Sequence, residues 1–263
     1  MIDIGVNLTN KRFDKDRTAI ITRAKSVGVA QLLITGTSVN ESKKALDLCL
    51  HYQQQFPDTL YATAGVHPHD ADGVSEDYLS ELATLANQPQ IKAIGECGLD
   101  FNRNFSAPEQ QLKIFKAQIK LAKQLSMPLF LHQRDAFEAW FSELKPFIDQ
   151  VPAMIAHCFT GSKDELKQCI ELGMYIGITG WICDERRGKA LQEMVDIVPL
   201  DRLLVETDAP YLTPRTIKPK PKSSRNEPSY LPYVVDQIAK FTAIDPEEIA
   251  CQTSLNAKKV FNL

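Results

Sequence analysis

Four of the five histidines in this chain stand where a short apolar run gives way to polar sequence. His132 closes Pro-Leu-Phe-Leu-His (128–132), and His157 closes Ala-Met-Ile-Ala-His (153–157). His67 and His69 flank Pro68 directly after the run 60–66; only His51 lies in a polar helical stretch. Glu96 closes the run 91–96, and the run 203–207 leads into Asp208. One such histidine alone is more often structural than chemical. A carboxylate and two imidazoles at successive run ends form a ligand set for zinc or another divalent transition metal. Such an ion polarises a carbonyl or phosphoryl oxygen and brings the pKa of a bound water toward neutrality. The expected metal set is Glu96, His132, His157 and Asp208. Asp208, one residue past its run, is also the expected base for the water's proton. His67 is the second catalytic candidate, as a contact to the substrate or leaving group. Glu206 fits equally a further ligand or a structural partner of an arginine.

A second feature follows the last run. Arg215, Lys218, Lys220, Lys222 and Arg225, with Asn226 next, fall in a proline-rich stretch, residues 213–228, expected to be a long ordered loop. A solvated charge run is the plain alternative. Beside a metal, basic side chains would hold phosphates and so suit a phosphodiester. Arg134, Arg225 and Asn226 are the expected substrate contacts, and Arg103 could add to them. Trp181, Phe101 and Phe159 could stack on a base, although for any one of them capping the core is the stronger reading. Cys97 and Cys158 alternate away from their functional neighbours and are expected to pack.

These residues need a scaffold that brings strand ends together. Eight short runs rich in Ile, Val and Leu (1–6, 31–35, 60–66, 91–96, 128–132, 153–157, 174–179 and 203–207) alternate with stretches of helical period. The clearest helix is expected over 108–125, with Leu112, Phe115, Ile119, Ala122 and Leu125 on one face and Ser106 with Glu109 as a capping box. Strands buried on both faces and separated by helices predict a parallel (β/α)8 TIM barrel, in which reactive residues sit at the C-terminal ends of the strands. An open doubly wound sheet is disfavoured, because no Gly-rich phosphate loop follows any strand. With 263 residues, 44% hydrophobic and 24% charged, one barrel domain over 1–263 is the expectation. A net charge of −3 excludes a general affinity for polyanions, so nucleic-acid binding must be local. Six scattered cysteines without a C-x-x-C pair argue against a zinc ribbon or a disulfide framework. No apolar run approaches the roughly 18 residues that span a bilayer. A cytoplasmic monomer without membrane contact is expected.

The same residues carry a family resemblance. Gly-Val-His-Pro-His (65–69), Gly-Glu-Cys-Gly-Leu-Asp (95–100), His-Cys-Phe-Thr-Gly (157–161), Glu-Thr-Asp-Ala-Pro-Tyr-Leu (206–212) and Arg-Asn-Glu-Pro (225–228) resemble the TatD family of metal-dependent deoxyribonucleases. That family is a branch of the amidohydrolase-like barrels. The resemblance covers nearly the whole chain. It implies a hydrolase that cleaves phosphodiester bonds with a divalent metal. It further implies Glu96, His132 and His157 as ligands, Asp208 as the catalytic or metal-binding aspartate, and His67 near the substrate phosphate. Most of the family opens with Asp-x-His-x-His, whereas this chain reads Asp3-Ile4-Gly5-Val6-Asn7, similar to the TatD subgroup proper. That subgroup implies magnesium and 3′→5′ exonuclease action on single-stranded DNA and RNA. Two imidazole ligands would suit manganese or zinc better than magnesium. A metal-dependent ester or amide hydrolase, such as an aminoacyl-tRNA deacylase, is the alternative within the same chemistry. A non-catalytic nucleic-acid-binding barrel is the alternative outside it.

Overall fold

The expected aliphatic runs become strands. In a computed structural model, which describes residues 1–263, they are β1 (Ile2–Val6), β2 (Gln31–Ile34), β3 (Leu60–Ala64), β4 (Ile91–Asp100), β5 (Leu129–Arg134), β6 (Met154–Ala156), β7 (Tyr175–Ile178) and β8 (Leu203–Val205). The helices are α1 (Arg17–Ser26), α2 (Val39–Tyr52), α3 (Tyr78–Ala86), α4 (Pro108–Leu125), α5 (Phe137–Leu144), α6 (Lys163–Glu171), α7 (Lys189–Gln192), α8 (Leu231–Thr242) and α9 (Pro246–Phe261). The strands form one eight-stranded sheet in chain order, β1 to β8. A parallel bridge joins Val6 to Ala209. This is the expected (β/α)8 architecture. Every residue of β1, β6, β7 and β8 is buried, as strands covered on both faces must be.

The chain packs as two compact units. One comprises Met1–Ile34, Cys158–Glu171 and Tyr175–Leu263; the other comprises Thr35–His157 and Leu172–Met174. In the first, β1 pairs with β2 and β7 with β8, both parallel. The 213–228 stretch forms no helix or strand before Pro228, as expected of a loop. In the second, β3, β4, β5 and β6 are parallel neighbours.

The strand ends differ from the sequence reading at the places that carry chemistry. β4 continues four residues past Glu96, to Asp100, so Glu96 lies within the strand. β6 and β8 stop early, which leaves His157 and the 206–208 segment in the loops that follow.

α4 begins at Pro108 as expected, but the capping box does not form. Proline at the first helical position puts Ala107 at the cap, with no side-chain cap bond. Ser106 is buried and donates its hydroxyl to the His69 carbonyl instead. The buried face of α4 is also rotated from the expected one. It includes Gln111 and Gln118 beside Ile114, Phe115, Ile119, Leu121 and Ala122. Both amides act as backbone clamps. Gln118 accepts from the Val66 N–H at 2.8 Å and donates to the Val66 carbonyl at 3.0 Å. Gln111 accepts from the Asp100 N–H and donates to the carbonyls of Asp100 and Ser106. The chain just before His67 and at Asp100 is therefore fixed from one helix.

Replacing Gln118 with Leu keeps the helix but strands a buried N–H and a buried carbonyl at Val66. The expected outcome is a loss of about 2–4 kcal/mol in urea denaturation, with an unchanged m-value.

Candidate metal centre

β4 pairs Gly95 with Phe130 and Cys97 with Leu131 of β5, which leaves Glu96 as the extra residue of a bulge. A bulge turns one side chain out of strict alternation. The Glu96 N–H donates to the Gly36 carbonyl at 2.8 Å. Its carboxylate is 6% exposed. Beyond the bulge, Gly98 stands opposite His132. Gly98 has φ +152°, and a Cβ there would lie 1.8 Å from the His132 carbonyl oxygen. Only glycine permits this approach of the two strands.

Three imidazoles surround one oxygen of Glu96. His132 Nδ1 lies 3.0 Å from Oε1, His67 Nε2 3.4 Å and His157 Nε2 3.5 Å. Ligand atoms of His67, Glu96 and His132 all lie within 4.8 Å of one another. The rings also touch each other and the wall: His67 meets His132 edge to face at 4.4 Å between centroids, and His157 lies tilted on Phe130 at 4.6 Å.

The hydrogen bonds divide the labour among the histidines. His67 Nδ1 accepts from the His69 N–H at 3.1 Å, so the neutral ring carries its proton on Nε2. That nitrogen is a donor, suited to an anionic oxygen. His132 differs. With Nδ1–H directed to Glu96, its Nε2 holds a lone pair, and that atom is buried with no hydrogen-bond partner. Asp100 Oδ2 lies 3.6 Å away, beyond hydrogen-bond length. A cation between a lone pair and a carboxylate oxygen would satisfy both in a buried site, and the donor set fits one.

The electrostatics agree. Burial alone would raise the Glu96 carboxyl, but His67, His157 and His132 outweigh it and hold the group well below its usual range. Burial would likewise raise Asp100; the facing His132 ring and the bonds from the Arg103 N–H and His69 hold it below the usual range. Burial would lower His132, but Asp100 and Glu96 raise it. Burial pushes His67 down to about 4, which keeps it neutral at neutral pH. Two ionised carboxylates thus press on His132, and a divalent cation relieves both.

Asp100 and His69 belong to this cluster and were missed as site residues. His69 Nε2 lies 2.6 Å from Asp100 Oδ2. The signal was present: 96, 98 and 100 alternate onto one face once the strand is allowed to continue. Arg134 ends β5 and pairs in register with Asp100.

The remaining expected residues lie in the other unit. Asp208 has φ +52°. Its N–H donates to the Gly5 carbonyl, and its Oδ1 accepts from Asn7 Nδ2, both at 2.8 Å. The two first-strand positions without histidine are therefore spent on placing Asp208. Glu206 accepts from the Cys158 N–H at 2.6 Å. Two expectations of substrate contact do not fit. Asn226 is fully buried, donating to the Thr207 carbonyl and accepting from the Glu227 N–H. Arg225 makes a bidentate pair with Asp16 at 2.7 and 2.8 Å and also donates to the Arg12 carbonyl. Both tie the long loop down.

In fold the chain is a parallel (β/α)8 barrel, similar to an uncharacterized amidohydrolase from Saccharomyces cerevisiae with a TM-score of 0.89 at 24% identity over 99% of each chain. It belongs to the TatD related DNase family, whose pattern matches residues 2–262. It is 54% identical over the full length of both chains to the 3'-5' ssDNA/RNA exonuclease TatD of Erwinia tasmaniensis. It is 49% identical to the protein of that name in Salmonella typhimurium, over 100% of this chain and 99% of the other. A TatD family hydrolase from Entamoeba histolytica superposes with a TM-score of 0.91 at 27% identity, covering 99% of this chain and 97% of the other.

Asp3 gives this region a pH dependence. It is fully buried, and burial raises its carboxyl to about 7 against bonds from Thr207 and Gly5. A raised folded pKa means stability that is complete below about pH 4 and lost as pH rises to about 7. Asp3→Asn keeps an acceptor for the Thr207 N–H without the ionisation. In metal-free buffer the variant should gain on the native protein by up to roughly 4 kcal/mol between those limits and run parallel above them. Denaturant titrations at a series of pH values read this directly; parallel curves throughout would contradict it.

Proposed function

We propose that this chain is a metal-dependent 3′→5′ exonuclease of single-stranded DNA and RNA, acting as a cytoplasmic monomer. The substrate rests on the full-length relatives that bear that name. The chemistry rests on one observation above the others: a buried His132 Nε2 without a partner, beside ionised Glu96 and Asp100. No helix is long and apolar enough to cross a membrane, and the six cysteines are free, which suits a reducing compartment.

Glu96, His132, His157 and Asp208 are assigned to hold the metal. A divalent cation there would lower the pKa of a water and draw charge from a phosphoryl oxygen. Magnesium follows from the family resemblance, whereas the two imidazoles favour manganese or zinc. His67 donates its Nε2–H to a phosphate oxygen, the role its tautomer supports. Asp208 takes the water's proton, its carboxylate directed by the Asn7 amide. Its assignment rests on motif and on its place after β8, where parallel barrels carry reactive residues. Arg134, at the end of β5, is assigned to a backbone phosphate.

His157→Ala tests the assignment. The variant should keep its far-UV circular dichroism and lose cleavage of labelled single-stranded DNA by roughly 100-fold or more with magnesium, manganese or zinc. A charged tRNA in the same assay should stay acylated. Cleavage at the native rate by folded His157→Ala would remove His157 from the centre.

A further inference from the structure

Phe105 is the most exposed of the large apolar side chains, at 65%. It does not sit on a loose loop. At one end of its loop, Asp100 Oδ1 accepts from the N–H groups of Asn102 at 3.0 Å and Arg103 at 2.8 Å. The Asn104 amide closes the turn onto the Phe101 carbonyl at 2.7 Å. At the other end, the Ser106 hydroxyl bonds the His69 carbonyl, and the Ala107 N–H donates to Asp72. An exposed aromatic ring on a fixed loop loses apolar hydration only when something covers it.

Its neighbours say what fits. The His69 ring meets Phe105 edge to face at 4.7 Å between centroids, and His69 in turn meets His67 at 4.3 Å. One imidazole therefore separates Phe105 from the histidine assigned to the phosphate. The Arg103 guanidinium lies 6.0 Å from the Phe105 centroid, adding a cation at the same place. A flat ring, a cation and a phosphate-binding centre at successive short steps match the parts of a nucleotide: base, backbone charge and phosphodiester.

We propose that Phe105 is a stacking platform for the nucleobase next to the phosphodiester being cleaved, with Arg103 beside it on the backbone. The proposal rests on the nuclease reading above and gives it a base-binding subsite that tolerates any base, because every base has a π-face.

The test uses Phe105→Ala, Phe105→Tyr and oligonucleotides whose last, second or third residue from the cleaved end is abasic. Phe105→Ala should raise KM about tenfold on the ordinary strand, within the range for one lost stack, with little change in kcat. On the strand whose missing base is the stacked one, native protein and Phe105→Ala should have the same KM. Phe105→Tyr should behave as native on every strand. A merely structural Phe105 would give the same loss on all strands, and that result overturns the proposal, as does native KM in Phe105→Ala. Binding is read separately through Phe105→Trp in EDTA, where the strand stays intact. Its emission should change with the ordinary oligonucleotide and not with the strand lacking the stacked base. No change with either would overturn the proposal even if the native protein cleaves nothing, so failure of the subsite and failure of the nuclease reading are distinct outcomes.

Discussion

The candidate centre hangs on one buried carboxylate with three imidazoles around a single oxygen. Glu96 is almost fully buried, and His67, His132 and His157 facing it hold its negative charge. The bulge in β4 makes this arrangement possible. From it on, 96, 98 and 100 alternate onto one face, where Glu96 and Asp100 lie 3.0 and 3.6 Å from the two ring nitrogens of His132. Gly98 is the necessary companion, because any Cβ there would strike the His132 backbone.

The surrounding polar network serves precision more than stability. Gln118 and Gln111 clamp the backbone at Val66 and Asp100, so the loops after β3 and β4 that deliver His67, His69 and Phe105 are anchored to α4 where they begin. In the other unit, Asp3 bonds the Thr207 N–H and hydroxyl, while Gly5 and Asn7 hold Asp208. The first strand thus contributes to the chemistry as a frame. Where most relatives are expected to offer histidines to a metal, this chain offers the Gly5 carbonyl to the Asp208 backbone N–H and the Asn7 amide to the Asp208 carboxylate.

Much of this was legible in the residues. Short aliphatic runs located all eight strands and a period of 3.6 located α4, and strand-end histidines with Glu96 marked the candidate centre. The rest was hidden for physical reasons. The apolar run of β4 is broken at Glu96, so the strand read as ending there and the alternation that carries Asp100 went unused. Buried glutamines look like solvent-facing ones until the backbone groups they satisfy are known, which turned the face of α4. Ser106 satisfied the sequence pattern of a capping box, but Pro108 moved the cap to Ala107 and freed the hydroxyl for His69. Arg225 and Asn226 read as a phosphate grip from charge and position alone; Asp16 and Thr207, distant in sequence, are their partners.

The central claim is that Glu96 and His132 hold a cation. Crystals grown with manganese and measured at its absorption edge test it most directly. An anomalous peak within bonding distance, about 2.0–2.3 Å, of the Glu96 carboxylate and a ring nitrogen of His132 is predicted. A map with no peak at those atoms, from crystals of protein that cleaves DNA with manganese, would contradict it.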